Sequence, residues 1–186
     1  MKKVYKSKKG ITLVELLVAI GIFGIVMVIT GSIINYSSKF YVKSNQNLKG
    51  ASEARIGMSY VINRLREYET LDAVEISNGN GNEYGTITFS KKDATTSNMM
   101  PLSIIEFEDG KLIEKQYNNG VLSSESSTIA YLSHFSIAKV LRDESDLNSW
   151  DKRTVKITIK YKDSSSTDQV ISTVLNRKCK INVKTS

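Results

Sequence analysis

The chain holds one cysteine, one histidine, one tryptophan and one proline in 186 residues. With a single cysteine, Cys179, no intramolecular disulfide can close, and with a single histidine, His134, neither a zinc cluster nor a multi-histidine site can be assembled. Cys179 alternates with Ile181 and Val183, which in a strand puts all three on one face, so it reads as a small core residue rather than a nucleophile. An enzyme site would have to be built from Ser, Asp and the one histidine. No motif of that kind stands out, and His134 beside Phe135 reads as structural. Neither catalysis nor a cofactor is expected.

Excess charge of one sign is also missing from most of the chain. The formal charge of +7 suggests an acidic partner when read alone. Yet Lys2, Lys3, Lys6, Lys8 and Lys9 all stand in the first ten residues, and the remainder carries 21 basic against 19 acidic residues. Nine scattered tyrosines make no stacking surface on so neutral a chain, so a nucleic-acid partner is not expected. The composition, 40% hydrophobic and 24% charged, excludes a disordered or collagen-like chain.

What is present is unevenly distributed. Ile11 to Ile34 reads ITLVELLVAIGIFGIVMVITGSII, 24 residues with one charge, Glu15, and no proline. As a helix this run is about 36 Å long, enough to cross a hydrocarbon core of about 30 Å with some tilt. The lysines before it predict a cytoplasmic N-terminus, with everything after about Ile34 exported. The run is too long for an ordinary secretory signal, and NYSSKFYVKS after it offers no clear cleavage pattern. A feature resembling a processing site stands before the apolar stretch instead, at Lys9-Gly10-Ile11-Thr12-Leu13-Val14-Glu15.

The segment KKGITLVELLVAIGIFGIVMVI resembles the N-terminus of type IV prepilins and of the related pseudopilins of type II secretion and competence systems. The resemblance implies a basic leader, residues 1–10, removed by a membrane prepilin peptidase between Gly10 and Ile11. It also implies methylation of the new amine of Ile11, and assembly with other major and minor pilins through the apolar helix at an inner-membrane platform. Glu15 corresponds to the family's glutamate. A carboxylate at membrane depth is costly, by roughly 2.5–3.5 kcal/mol for Asp at a helix centre, so Glu15 should have a partner. Two pairings are open: the Ile11 amine of its own chain, four residues away on the helix, or that of a neighbouring subunit. Gly21, Gly24 and Gly31 weaken the helix, and read either as packing through small residues or, by the resemblance, as sites of local unwinding.

Leu48, Ala51, Met58, Val61, Ile62 and Leu65 recur at spacings of three and four, with Lys49, Glu53, Arg64, Arg66 and Glu67 largely on other faces. This predicts that the helix continues through 35–69 as an amphipathic half whose apolar face finds a sheet. The polar stretch Asn35 to Gln46 could bend but has no proline to force a break. After it the period becomes two, and strands are expected at 84–90, 103–108, 111–117, 135–141, 154–162 and 169–175. Asp109-Gly110 is a hairpin signal and Asn119-Gly120 another turn, while SNGNGN at 77–82 and SSST at 164–167 read as loops. The expected fold is α+β and type IV pilin-like, the long helix packed on an antiparallel β-rich domain over 70–186.

Within that family, ASEARIGMSYVINRLREYETL, IIEFEDGKLIEKQYNNGVL and the late pair TVKITIKY and ISTVLNRK are similar to W-type minor pilins and J-type minor pseudopilins, subunits found near filament tips. The absent second cysteine accords with a minor subunit or a Gram-positive source. Asp143, Glu144, Asp146 and Asp151 cluster and could bind calcium, but lack the Gly and terminal Glu of an EF-hand loop, so a solvated turn is expected. Trp150 beside them reads as a core plug. The expected function is a structural filament subunit, membrane-embedded before assembly and at the cell surface after it. A type II secretion or competence pseudopilin, a tip adhesin and a DNA-uptake receptor are the alternatives.

Overall fold

A computed structural model of the chain describes residues 10–69, 73–80, 83–92, 98–123, 126–142 and 149–184. Among them run one helix, α1 (Leu13–Glu67), and ten strands. The strands are β1 (Ala73–Asn80), β2 (Glu83–Lys92), β3 (Met99–Glu108), β4 (Lys111–Asn118), β5 (Val121–Leu122), β6 (Ser127–Tyr131), β7 (His134–Leu141), β8 (Trp150–Lys162), β9 (Asp168–Asn176) and β10 (Ile181–Val183). The fold is the expected α+β arrangement, and the six expected strands are all present within one or a few residues of their predicted ends. Two compact units divide the chain, one up to Ser44 and one from Asn45.

In the first unit α1 passes through Asn35 to Ser44 without a break. Polar side chains in and just beyond the apolar stretch satisfy themselves on their own helix. Thr30 Oγ1 donates to Val26 O (2.8 Å), Ser32 Oγ to Val28 O (2.9 Å), Asn35 Nδ2 to Gly31 O (3.1 Å) and Ser38 Oγ to Ile34 O (2.9 Å).

The second unit is built on a sheet that forks. Strand β2 pairs along one edge with β1 in unbroken register, from Asn80↔Glu83 to Ala73↔Ser90. Along its other edge β7 takes Glu83 and Tyr84, and β3 takes Thr86 onward. From there one branch runs β3, β4, then β5 and β6, and the other β7, β8, β9. The neighbours are antiparallel except β10, which returns to pair in parallel with β1 through Val74↔Ile181. Asp109-Gly110 and Asn119-Gly120 turn the β3–β4 and β4–β5 hairpins with positive φ at both positions, as expected from their sequences. The lone proline, Pro101, lies near the start of β3, where β3 pairs with β2 but not β4, beside a register shift at Phe89/Ser90.

Residues 45–67 of α1 face both branches. Ala54, Gly57, Met58, Val61 and Leu65 are buried against a core that includes Ile87, Phe89, Ile105, Leu112, Phe135, Ile137, Val155, Ile157 and Ile159. Gly57 sits where the branches converge, since a Cβ there would lie 3.3 Å from Ala130 Cβ, 3.5 Å from Ile159 Cδ1 and 3.5 Å from Leu112 Cδ2. The helix ends under Arg177, 3% exposed, whose Nε donates to Leu65 O (3.2 Å) and Nη2 to Tyr68 O (2.8 Å). These are carbonyls the last turn cannot satisfy internally.

Several expectations are corrected. Leu48 does not face the sheet; it is 65% exposed. The ten residues from Leu48 to Met58 fall about 80° short of three full turns, so the two cannot share one narrow face. Two of the charged residues expected largely on other faces nonetheless reach the sheet: Glu53 Oε2 accepts from Tyr131 N at 3.1 Å, and Arg64 pairs with Glu114 of β4. Ser77 to Asn80 is strand rather than loop, because pairing with β2 overrides its turn-like composition. Cys179 precedes β10 in a bend and is only partly buried, unlike Ile181. Trp150, by contrast, packs against the core as expected, opening β8 and donating from Nε1 to Thr154 O at 2.7 Å.

Candidate processing and assembly site

Gly10, Ile11 and Thr12 precede the first helical residue, Leu13, and all three are exposed. A Cβ on Gly10 would meet nothing within 4 Å. Packing among the described residues therefore makes no demand for glycine there. An unraveled segment beside a helix start is also what a peptidase needs, since a bond inside a helix cannot enter a cleft in extended form.

Thr12 is the N-cap of α1 and Glu15 completes a capping box. Thr12 N donates to Glu15 Oε2 (2.9 Å), Thr12 Oγ1 donates to the same oxygen (3.1 Å), and Glu15 N donates to Thr12 Oγ1 (3.3 Å). Leu16 N closes the first turn on Thr12 O at 3.2 Å. This is a third partner for Glu15, beside the two amines weighed from the sequence. Its signal, Thr-x-x-Glu before an apolar run, was readable there. The carboxylate is thereby held at the positive end of the helix, one residue from the Ile11 amide, with both Thr12 bonds on Oε2.

From Leu13 to Ile34 none of the described residues buries the large apolar side chains. Ile11, Leu13, Val14, Leu17, Ile20, Phe23 and Ile25 are all exposed, and an 18-residue window of α1 reaches a mean hydropathy of 2.7. So bare an apolar surface needs lipid or other helices around it. A Cβ added at Gly21, Gly24 or Gly31 would meet nothing within 4 Å, and the helix is regular through all three.

A second cluster, not anticipated from the sequence, lies between α1 and β4. Glu114 is 2% exposed and its carboxylate gathers the Tyr60 hydroxyl, Ser103 Oγ at 2.6 Å, Gln116 Nε2 at 3.1 Å and the Arg64 guanidinium, whose Nε and Nη2 lie 3.0 and 3.1 Å from Oε1 and Oε2. Burial pushes the Glu114 pKa up, but bonds from Ser103, Tyr60, Gln116 and Arg64 outweigh it and hold the carboxyl below its ordinary range. Every bond found on this carboxylate comes from a neighbouring side chain of the same fold, an arrangement suited to fixing the helix on the sheet. An open groove of about 710 Å³ beside the helix is lined by residues including Leu48, Ile56 and Tyr60. Of the calcium candidates, Asp143, Glu144 and Asp146 lie outside the described residues, as does the side chain of Asp151. Among the described residues no group of three or more His, Cys, Asp or Glu is placed to hold a metal ion.

Residues 5–31 match the family model for the prokaryotic N-terminal methylation motif. The match covers Gly10, Ile11, Glu15 and most of the apolar run, and supports a type IV pilin or pseudopilin precursor, with a prepilin-type N-terminus on an α+β domain. No curated protein and no solved structure matches the chain.

Proposed function

We propose that the chain is a filament subunit of the type IV pilus or pseudopilus kind. Prepilin peptidase cleaves it between Gly10 and Ile11, its Ile11 amine is methylated, and it is then drawn from the membrane into a polymer through α1. The observation that carries this reading is the placing of the motif. Gly10-Ile11 is exposed and non-helical, directly before a capped helix whose apolar surface is uncovered. In the precursor Glu15 is occupied by Thr12. After cleavage the Ile11 amine becomes a cation, and Oε1, which Thr12 does not use, can take the amine of a neighbouring subunit. That pairing would fix axial register and neutralise both charges as the helices leave lipid. Before assembly the N-terminus is cytoplasmic, and the partners are the peptidase, the assembly platform and other pilins. The subunit is a minor one near the tip, a placement supported by the resemblance of its helix and hairpin segments to minor subunits.

Mature protein from cells should begin at Ile11 and carry one methyl group on its amine, and Gly10→Val should leave the leader attached. Mass spectrometry of the N-terminus reads both outcomes. Surface-exposed protein retaining Met1 would overturn the proposal. Quantitative proteomics of sheared filaments tests the minor placement, because a minor subunit must be far outnumbered by another pilin.

A further inference from the structure

Just beyond the apolar run, α1 carries a second exposed patch of different chemistry. Tyr36, Phe40 and Tyr41 are 74%, 63% and 68% exposed, and Lys39 and Lys43 are exposed between and beside them. Tyr36, Lys39, Phe40 and Lys43 follow the i, i+3, i+4, i+7 spacing of one helix face, while Tyr41 points away from it. Asn35, just before this patch, and Ser38, within it, fold back onto the carbonyls of Gly31 and Ile34. The helix thus changes, within two turns, from apolar residues to aromatic and basic ones interspersed with self-satisfied polar ones.

Helix geometry gives the patch an address. Glu15 and Tyr36 are both helical and 21 residues apart, which is about 32 Å along the axis, close to the thickness of a hydrocarbon core of about 30 Å. With Tyr36 at one boundary of the hydrocarbon, Glu15 falls at the other. Lys39 and Lys43 then reach a further 4–10 Å or so, into the layer that holds lipid phosphates. Tyrosine, with an apolar ring and a polar tip, and lysine, with a long apolar stem, are the side chains that favour this layer.

We propose that Tyr36, Lys39, Phe40, Tyr41 and Lys43 dock in the phospholipid headgroup layer on the exported side of the membrane. This girdle sets the depth of the span so that Glu15 lies at the cytoplasmic hydrocarbon boundary and Gly10-Ile11 outside it. The proposal rests on the filament-precursor reading above for the direction of the chain. It removes a difficulty of that reading, because at the boundary Glu15 escapes the cost of a carboxylate at the bilayer centre. The occupant is lipid rather than protein, since the girdle continues an apolar span whose length matches a bilayer.

The test uses the unprocessed full chain in phosphatidylcholine–phosphatidylglycerol vesicles, with Trp150→Phe so that one introduced tryptophan reports alone. Lipids brominated either near the headgroup or near the chain ends serve as quenchers. Phe40→Trp should be quenched more by the shallow bromines, and Val26→Trp, midway between Glu15 and Tyr36, more by the deep ones. With Tyr36, Phe40 and Tyr41 all replaced by serine, Val26→Trp should lose its preference for the deep quencher as the span slides or tilts. Equal or deeper quenching of Phe40→Trp, or no change at Val26→Trp in the serine background, would overturn the proposal. Because no cleavage is involved, a failed processing test leaves this measurement standing, and the reverse.

Discussion

Glu114 shows how little a local pattern can decide about one residue. In the strand sequence KLIEKQY it shares one side of β4 with apolar Leu112 and polar Gln116, which leaves its burial undecided by alternation, yet it is 2% exposed. What makes its burial tolerable is the convergence of Arg64 and Tyr60 from the helix and Ser103 from β3, fifty, fifty-four and eleven residues away in sequence. Glu114→Ala, which leaves Arg64 only the exposed Glu67 as an ion-pair partner, should cost up to about 3 kcal/mol, the lower part of the range for breaking a buried pair. Denaturant unfolding of the full chain in detergent measures it. The pH dependence follows from the lowered folded-state pKa. Stability from this group is present above the ordinary carboxylate pKa and is lost as pH falls through the lower folded value, so wild type should lose stability on acidification more steeply than Glu114→Gln.

At the scale of elements, α1 docks through its smallest residues. Gly50 comes so close to the end of β8 that a Cβ would lie 2.9 Å from Lys162 O, and Gly57, two turns on, takes Ala130, Leu112 and Ile159 at ordinary contact distance or slightly less. Gly57→Ala should be close to neutral, since better helix propensity offsets a slightly tight contact. Gly57→Leu must separate the helix from both branches and should destabilise by about 1–3 kcal/mol, seen as a lower Tm. Hairpin turns were legible because positive φ selects Asp-Gly and Asn-Gly locally. Strand β1 was not, because Asn78, Gly79 and Asn80 carry turn chemistry, and only pairing with β2 makes them strand. Gly79 is required there by proximity, since a Cβ would lie 1.9 Å from Glu83 O.

At the scale of the whole molecule, the buried side chains among the described residues run from Ala54 to Ile181 and belong to the unit that begins at Asn45. That unit has its own core, its own capped helix end and a C-terminal strand paired to β1. A chain beginning at Asn45 should therefore remain folded and soluble, with a β-rich circular dichroism spectrum and one cooperative unfolding transition. A spectrum without strand signal, or a gradual melt, would show that the apolar half of α1 is needed to complete the fold.

The sequence by itself determined what depends on near neighbours along the chain. The apolar run, its basic leader, the Gly10 to Glu15 spacing, the tight turns and the alternation of six strands are all patterns of fewer than about thirty residues, and each carries its physical cause within itself. Only the tertiary structure decided the fork in the sheet, the parallel return of β10 to β1, the burial of Glu114 and the clamp of Arg177 on the end of α1. Each of these joins residues separated by many turns and strands, and is chosen by which buried polar groups find partners and where backbones can approach. A one-dimensional pattern of apolar and polar residues does not record that choice.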